Sequence, residues 1–143
     1  MNSIKILLCS FLIFFAFNYK IQSQNLLIFG GKNHDVFLGC INCSKYDDKS
    51  IWNKYGDFGS KYNDKCIWNK YGLYSGNYND TSPFNKYASN PPVLVDGDGN
   101  FYGYFTANKY KNKATQYKLA ILIIENWETI ADDVGEAYEL IFK

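Results

Sequence analysis

Ser50-Ile51-Trp52-Asn53-Lys54-Tyr55-Gly56, Cys66-Ile67-Trp68-Asn69-Lys70-Tyr71-Gly72 and Ser82-Pro83-Phe84-Asn85-Lys86-Tyr87-Ala88 are three copies of one phrase, sixteen residues apart. The residues ahead of each copy repeat too, as Lys45-Tyr46-Asp47-Asp48, Lys61-Tyr62-Asn63-Asp64 and Asn77-Tyr78-Asn79-Asp80. A fixed short period means similar small units stacked side by side, not one catalytic scaffold. Within a copy, Ser50 suits a helix N-cap, Pro83 suits a first helical position, and Gly56 and Gly72 suit helix ends. Each phrase is therefore expected to form one short capped helical turn. Such turns are unstable alone, so the aromatic residues must supply the burial.

A longer echo flanks the repeats. Phe37-Leu38-Gly39 and Phe101-Tyr102-Gly103 lie 64 residues apart, four repeat lengths. Each follows an apolar run and a Gly-containing turn. The first pair is Leu26-Leu27-Ile28-Phe29 and Gly30-Gly31-Lys32-Asn33; the second is Val93-Leu94-Val95 and Asp96-Gly97-Asp98-Gly99-Asn100. Both read as strand, turn, strand. Past Lys109, apolar residues from Ala120 through Trp127 to Ile141 recur at three- and four-residue steps, with Glu125, Glu128, Asp132 and Glu136 between them. That is an amphipathic helix, which Gly135 can divide in two. The expected fold class is α+β. Two β-hairpins form a small antiparallel sheet, three capped turns lie beside it, and one C-terminal amphipathic helix packs on a face.

Residues 1–23 read as a signal peptide: Lys5, an apolar run from Leu7 to Phe17, and small Ser23 before the cut. An uncleaved N-terminal anchor is the other reading, although the run is shorter than the roughly 20 residues of a membrane span. Residues 24–143 are then a single domain, with a first hairpin over 24–43, three repeats over 44–92, a second hairpin over 93–108 and a helical segment over 109–143. The expected location is secreted, periplasmic or on the cell surface, with no membrane span once the signal is removed. Without Lys5 and Lys20, thirteen lysines face fourteen acids, and the chain has no arginine. Nucleic-acid binding depends on excess positive charge, so it is not expected.

Three cysteines follow the leader: Cys40, Cys43 and Cys66. Cys66 stands where the other copies carry Ser50 and Ser82, and a disulfide from it to Cys40 or Cys43 is expected. The alternative is a redox pair at Cys40-Ile41-Asn42-Cys43, although the helix that such a motif normally opens is missing. Zinc on three cysteines and His34 would lack the usual paired ligand spacing. Neither a metal nor a cofactor is expected. Asp96-Gly97-Asp98-Gly99-Asn100 opens like a calcium loop, but Ala107 stands where the closing bidentate acid belongs, and a hairpin turn explains the same residues.

Trp52, Trp68 and Phe84 are expected in the core, because the middle of the chain has little else to bury. Tyr55, Tyr71 and Tyr87 can keep a wet hydroxyl and are the candidate ligand-binding residues, for a sugar ring or a peptide. No hydrolase triad, P-loop or dinucleotide fingerprint occurs, and no catalytic residue is assigned. Asp47-Asp48 and Asp132-Asp133 are sequence neighbours that point apart, a poor acid–base pair. The functional expectation is a non-enzymatic secreted or envelope-associated structural or binding module of unknown ligand, with a cell-envelope glycan or protein as the candidate partner. The alternative is a small secreted hydrolase using His34 with a carboxylate such as Asp35 or Asp96.

Asn53-Lys54-Tyr55-Gly56-Asp57-Phe58-Gly59-Ser60 resembles the tandem Asn-x-Tyr-Gly-x-Tyr-Gly-Ser phrase of a group of small secreted bacterial proteins. Their repeats adjoin a segment like Asn90-Pro91-Pro92-Val93-Leu94-Val95-Asp96. The resemblance covers roughly residues 36–108. It implies a repeat architecture and a secreted location, and no mechanism.

Overall fold

The computed structural model describes residues 24–143. The expected signal peptide at 1–23 lies outside the described residues. Four strands form one antiparallel sheet: β1 Leu26–Gly30, β2 Val36–Cys40, β3 Val93–Asp96 and β4 Phe101–Tyr104. Their order is β2-β1-β3-β4, so each hairpin keeps its own pair and the hairpins join through β1 and β3. Ile28 lies opposite Leu94, and Leu27 opposite Val95. Leu26 and Ile28 of β1 are buried while Leu27 and Phe29 are half-buried, the period-two pattern of a sheet with one core face.

The 64-residue echo is structural as well as verbal. Cys40 bridges Ser50 in parallel, and Tyr104 bridges Ala114 in the same sense, each residue 64 positions after its counterpart. Gly39 and Gly103 precede these bridges at φ 112° and 105°. An added Cβ would lie 3.0 Å from the Lys49 carbonyl oxygen at Gly39, and 2.9 Å from that of Lys113 at Gly103. Both glycines thus allow the returning chain to close against the end of its hairpin.

Two helices follow: α1 Lys118–Asp132 and α2 Val134–Ile141. The single expected helix is divided one residue before Val134, not at Gly135 itself. Asp133 accepts a hydrogen bond from the Glu136 N–H at 3.0 Å and so caps α2. A kink at Asn126 (φ −131°, ψ 18°) bends α1 further. Ala120, Ile123, Ile130 and Ala131 are buried, as the three–four spacing predicts. The helices share one buried core with the sheet, in which Ala120, Ile123 and Ile130 cluster with Leu26, Ile28, Leu38 and Leu94. They also lie on repeat aromatics: Trp127 stacks on Phe84 at 4.6 Å and Tyr138 meets Trp52 at 6.0 Å. Among the described residues no helix is long and apolar enough to cross a membrane.

Candidate functional site

The repeats fold as chains of hydrogen-bonded turns rather than as the expected capped helical turns. Asn53 N–H donates to the Ser50 carbonyl and Gly56 N–H to the Asn53 carbonyl, three residues back each time. The side chains explain why no helix propagates. Ser50 Oγ accepts from Trp52 N–H at 3.1 Å, and Ser82 Oγ from Phe84 N–H at 3.0 Å. Asn53, Asn69 and Asn85 Oδ1 accept from the N–H groups of Tyr55, Tyr71 and Tyr87 at 3.1, 3.1 and 2.9 Å. Their Nδ2 groups donate to the carbonyls of Asp47, Asn63 and Asn79, six residues back. Ser and Asn side chains thereby offer the backbone local partners that compete with a helix.

The repeats stack a buried spine. Trp52 and Trp68 ring centres are 5.7 Å apart, and Trp68 stacks on Phe84 at 6.2 Å. Trp68 is 1% exposed, and its indole Nε1–H donates to the Ile51 carbonyl at 2.6 Å. Trp52 donates likewise to Ile41 at 2.7 Å. These rings are core.

The tyrosines are the opposite. Tyr55, Tyr71 and Tyr87 are 88%, 100% and 81% exposed. A second row, Tyr46, Tyr62 and Tyr78, is 81%, 84% and 95% exposed. Sequence reasoning missed this second row, although Tyr46, Tyr62 and Tyr78 keep the same sixteen-residue step. Lysines lie beside these rings, with Lys45, Lys54 and Lys61 Nζ 5.3, 5.2 and 5.6 Å from the centres of the rings that follow them.

Clefts open between the tyrosines and the C-terminal helices. Tyr46, Trp52 and Tyr55 face Glu136 and Glu139 across the first. Tyr62, Trp68 and Tyr71 face Asp132 across the second. Tyr78, Phe84 and Tyr87 face Glu125, Trp127 and Glu128 across the third. Two ion pairs tie the walls together: Lys45 with Glu139, and Lys70 Nζ with Asp132 Oδ1 at 3.0 Å. The hydrogen bond between Lys45 and Glu139 raises the lysine pKa and lowers that of the carboxyl.

The other sequence candidates lie elsewhere. The disulfide joins Cys40 to Cys43, so the expected bridge to Cys66 is not formed. Cys66 is buried and free, and its Sγ accepts from Trp68 N–H at 3.4 Å, the role that serine plays in the other copies. Burial pushes its thiol pKa up to about 12. A thiol so hard to ionise is a poor nucleophile.

His34 sits at φ 52° in the first hairpin turn, its ring edge-on to Tyr104 at 5.9 Å. Its Nε2 is 3.0 Å from the Pro91 carbonyl oxygen and donates to it in the matching tautomer. Among the described residues neither Asp35 nor Asp96 hydrogen-bonds to it. Asp96 is committed to its own turn. It accepts from Asp98 and Asn100 N–H at 2.9 Å each, from Asn100 Nδ2 at 2.9 Å and from Tyr102 Oη at 3.1 Å. The Asn100 side chain, foremost among these donors, holds its pKa below the usual carboxylate range. That pattern accounts for Asp96 and Asn100 in the hairpin turn, where Gly99 takes a positive φ of 83°. Comparison with protein-family models, curated proteins and solved structures finds no match to the chain.

Proposed function

We propose that the protein is an exported, non-enzymatic binding module whose ligand, an envelope glycan or protein, lies across the two tyrosine rows. Tyr55, Tyr71 and Tyr87 are the chief contacts, joined by Tyr46, Tyr62 and Tyr78. The observation that carries this reading is the exposure of these six rings, 81–100%, with the backbone N–H groups of Tyr46, Tyr55, Tyr62, Tyr71 and Tyr87 held by a serine or asparagine side chain two residues back. A large amphipathic ring held in water stabilises no core, and rigid aromatics lose little freedom on binding. Export is supported by the leader-like residues 1–23, by the disulfide, which suits an oxidising compartment, and by the resemblance to small secreted repeat proteins.

The test is a melting-temperature screen of the mature protein against glycans, peptidoglycan fragments and calcium. A ligand that binds the native state raises its stability by mass action. The expected result is a shift that the combined Tyr55→Ala, Tyr71→Ala, Tyr87→Ala variant loses and His34→Ala keeps. Turnover of an envelope substrate that is abolished by His34→Ala would refute the reading.

A further inference from the structure

We infer that the three clefts are equivalent, consecutive subsites for a linear uncharged polysaccharide, so that successive 16-residue repeats grip successive stretches of one glycan chain. This rests on the tyrosine rows being the binding surface and goes further by naming the ligand class. Equivalence comes first. Corresponding repeat positions line every cleft, so Tyr46 and Tyr55 in the first become Tyr62 and Tyr71 in the second and Tyr78 and Tyr87 in the third. The first two clefts hold about 470 and 460 Å³. The third is larger, about 980 Å³, where Phe84 and Asn77 replace a tryptophan and a lysine.

Spacing comes next. Beneath the clefts the buried rings of Trp52, Trp68 and Phe84 follow one another at 5.7 and 6.2 Å, which sets the step from one repeat to the next. A surface that repeats at so short a step matches an occupant that itself repeats, a polymer rather than an irregular protein epitope.

Charge then selects the polymer. One wall carries Lys54, Lys70 and Lys86, and the facing helices carry Glu136, Asp132 and Glu128. A polyanion would meet the carboxylates and a polycation the lysines, and like charges brought together oppose binding. Hydroxyl groups both donate and accept, so a neutral polyhydroxyl chain can satisfy both walls, while its apolar ring faces rest on tyrosine. An extended peptide fits less well. Strand addition needs free backbone donors, and the N–H groups of Tyr55, Tyr71 and Tyr87 are already bonded to asparagine side chains.

The experiment is titration calorimetry of the mature protein with neutral oligosaccharides, graded from disaccharide to octasaccharide. The series are β-1,4-linked glucose, β-1,4-linked N-acetylglucosamine and α-1,4-linked glucose. Linked subsites make each further contact intramolecular, so affinity should rise at least about tenfold with length in one series and then level off. Tyr62→Ala with Tyr71→Ala, which empties the middle cleft, should abolish the length dependence. Tyr78→Ala with Tyr87→Ala should leave a shortened one, because two adjoining clefts survive. Equal affinity for disaccharide and octasaccharide, or tighter binding of a polyanion of the same length, overturns the inference. If no neutral glycan binds but another envelope ligand depends on the same tyrosines, the glycan assignment falls and the binding surface stands. If a ligand binds regardless of all six tyrosines, both readings fall.

Discussion

Trp68 is the middle rung of the spine, and its replacement separates the buried half of each repeat from the exposed half. Its ring is 1% exposed, lies between Trp52 at 5.7 Å and Phe84 at 6.2 Å, and donates to the buried Ile51 carbonyl. Truncating a buried tryptophan to alanine costs about 3–5 kcal/mol through lost burial and the cavity left behind. Against the roughly 5–15 kcal/mol that holds a native domain together, that loss can unfold the chain outright. Trp68→Phe is therefore the variant to read. It keeps an aromatic ring, as Phe84 does in the third copy, but orphans the Ile51 carbonyl, for about 1–3 kcal/mol. Tyr71→Ala, at a fully exposed ring, should change stability by no more than about 0.5 kcal/mol. The assay is urea unfolding followed by far-ultraviolet circular dichroism, comparing midpoints at constant slope. If Trp68→Phe lies as close to wild type as Tyr71→Ala, the spine does not carry the repeats. If Tyr71→Ala is as damaging as Trp68→Phe, the tyrosines are structural and the proposed surface loses its basis.

Three further outcomes follow from the same geometry. Cys66 is held un-ionised with its pKa at about 12, above that of an unfolded thiol, so native stability is undiminished below pH of about 8.5 and declines as pH rises toward the folded value. In thermal melts Cys66→Ser should remove that part of the alkaline loss, so that its stability gains on wild type as pH is raised; parallel curves would contradict it. Replacing Cys40 and Cys43 together by alanine should cost about 2 kcal/mol, since the disulfide closes only a very short loop; a change below about 0.5 kcal/mol in urea would count against it. Gly39→Ala and Gly103→Ala should each destabilise by more than about 1 kcal/mol and to similar extents, because both positions have positive φ and meet backbone on closing. A tolerated alanine at either would break the equivalence of the two hairpins.

The paired hairpins and the aromatic spine were legible because both depend on period. Phe37 and Phe101 share a 64-residue step, and Trp52, Trp68 and Phe84 share a sixteen-residue one, so each set had to occupy equivalent places. The conformation of the repeat was less legible. Ser50 next to an apolar pair suits a helix N-cap and an isolated serine turn equally, and only the Asn53 side chain, bonding forward to Tyr55 and back to Asp47, decides for turns. Disulfide pairing was open in the sequence, because spacing does not determine connectivity, and the bridge that forms joins Cys40 and Cys43, the pair of the alternative reading. Cys66 reads as a bridge partner, yet it fills a serine's place facing Trp68 N–H. Tyr46, Tyr62 and Tyr78 repeat as regularly as the residues singled out. Their exposure depends on how the turns aim them and on where α1 and α2 lie, neither of which a repeat pattern encodes.

The most direct measurement of the central claim is nuclear magnetic resonance of residues 24–143 with ring-labelled tyrosine, titrated with the glycan or peptidoglycan fragment that raises the melting temperature. The account predicts that ring signals of Tyr46, Tyr55, Tyr62, Tyr71, Tyr78 and Tyr87 move together and saturably, while those of Tyr102 and Tyr104 at the second hairpin stay in place. Shifts centred on Tyr104, beside His34, with the repeat tyrosines unmoved, would contradict it.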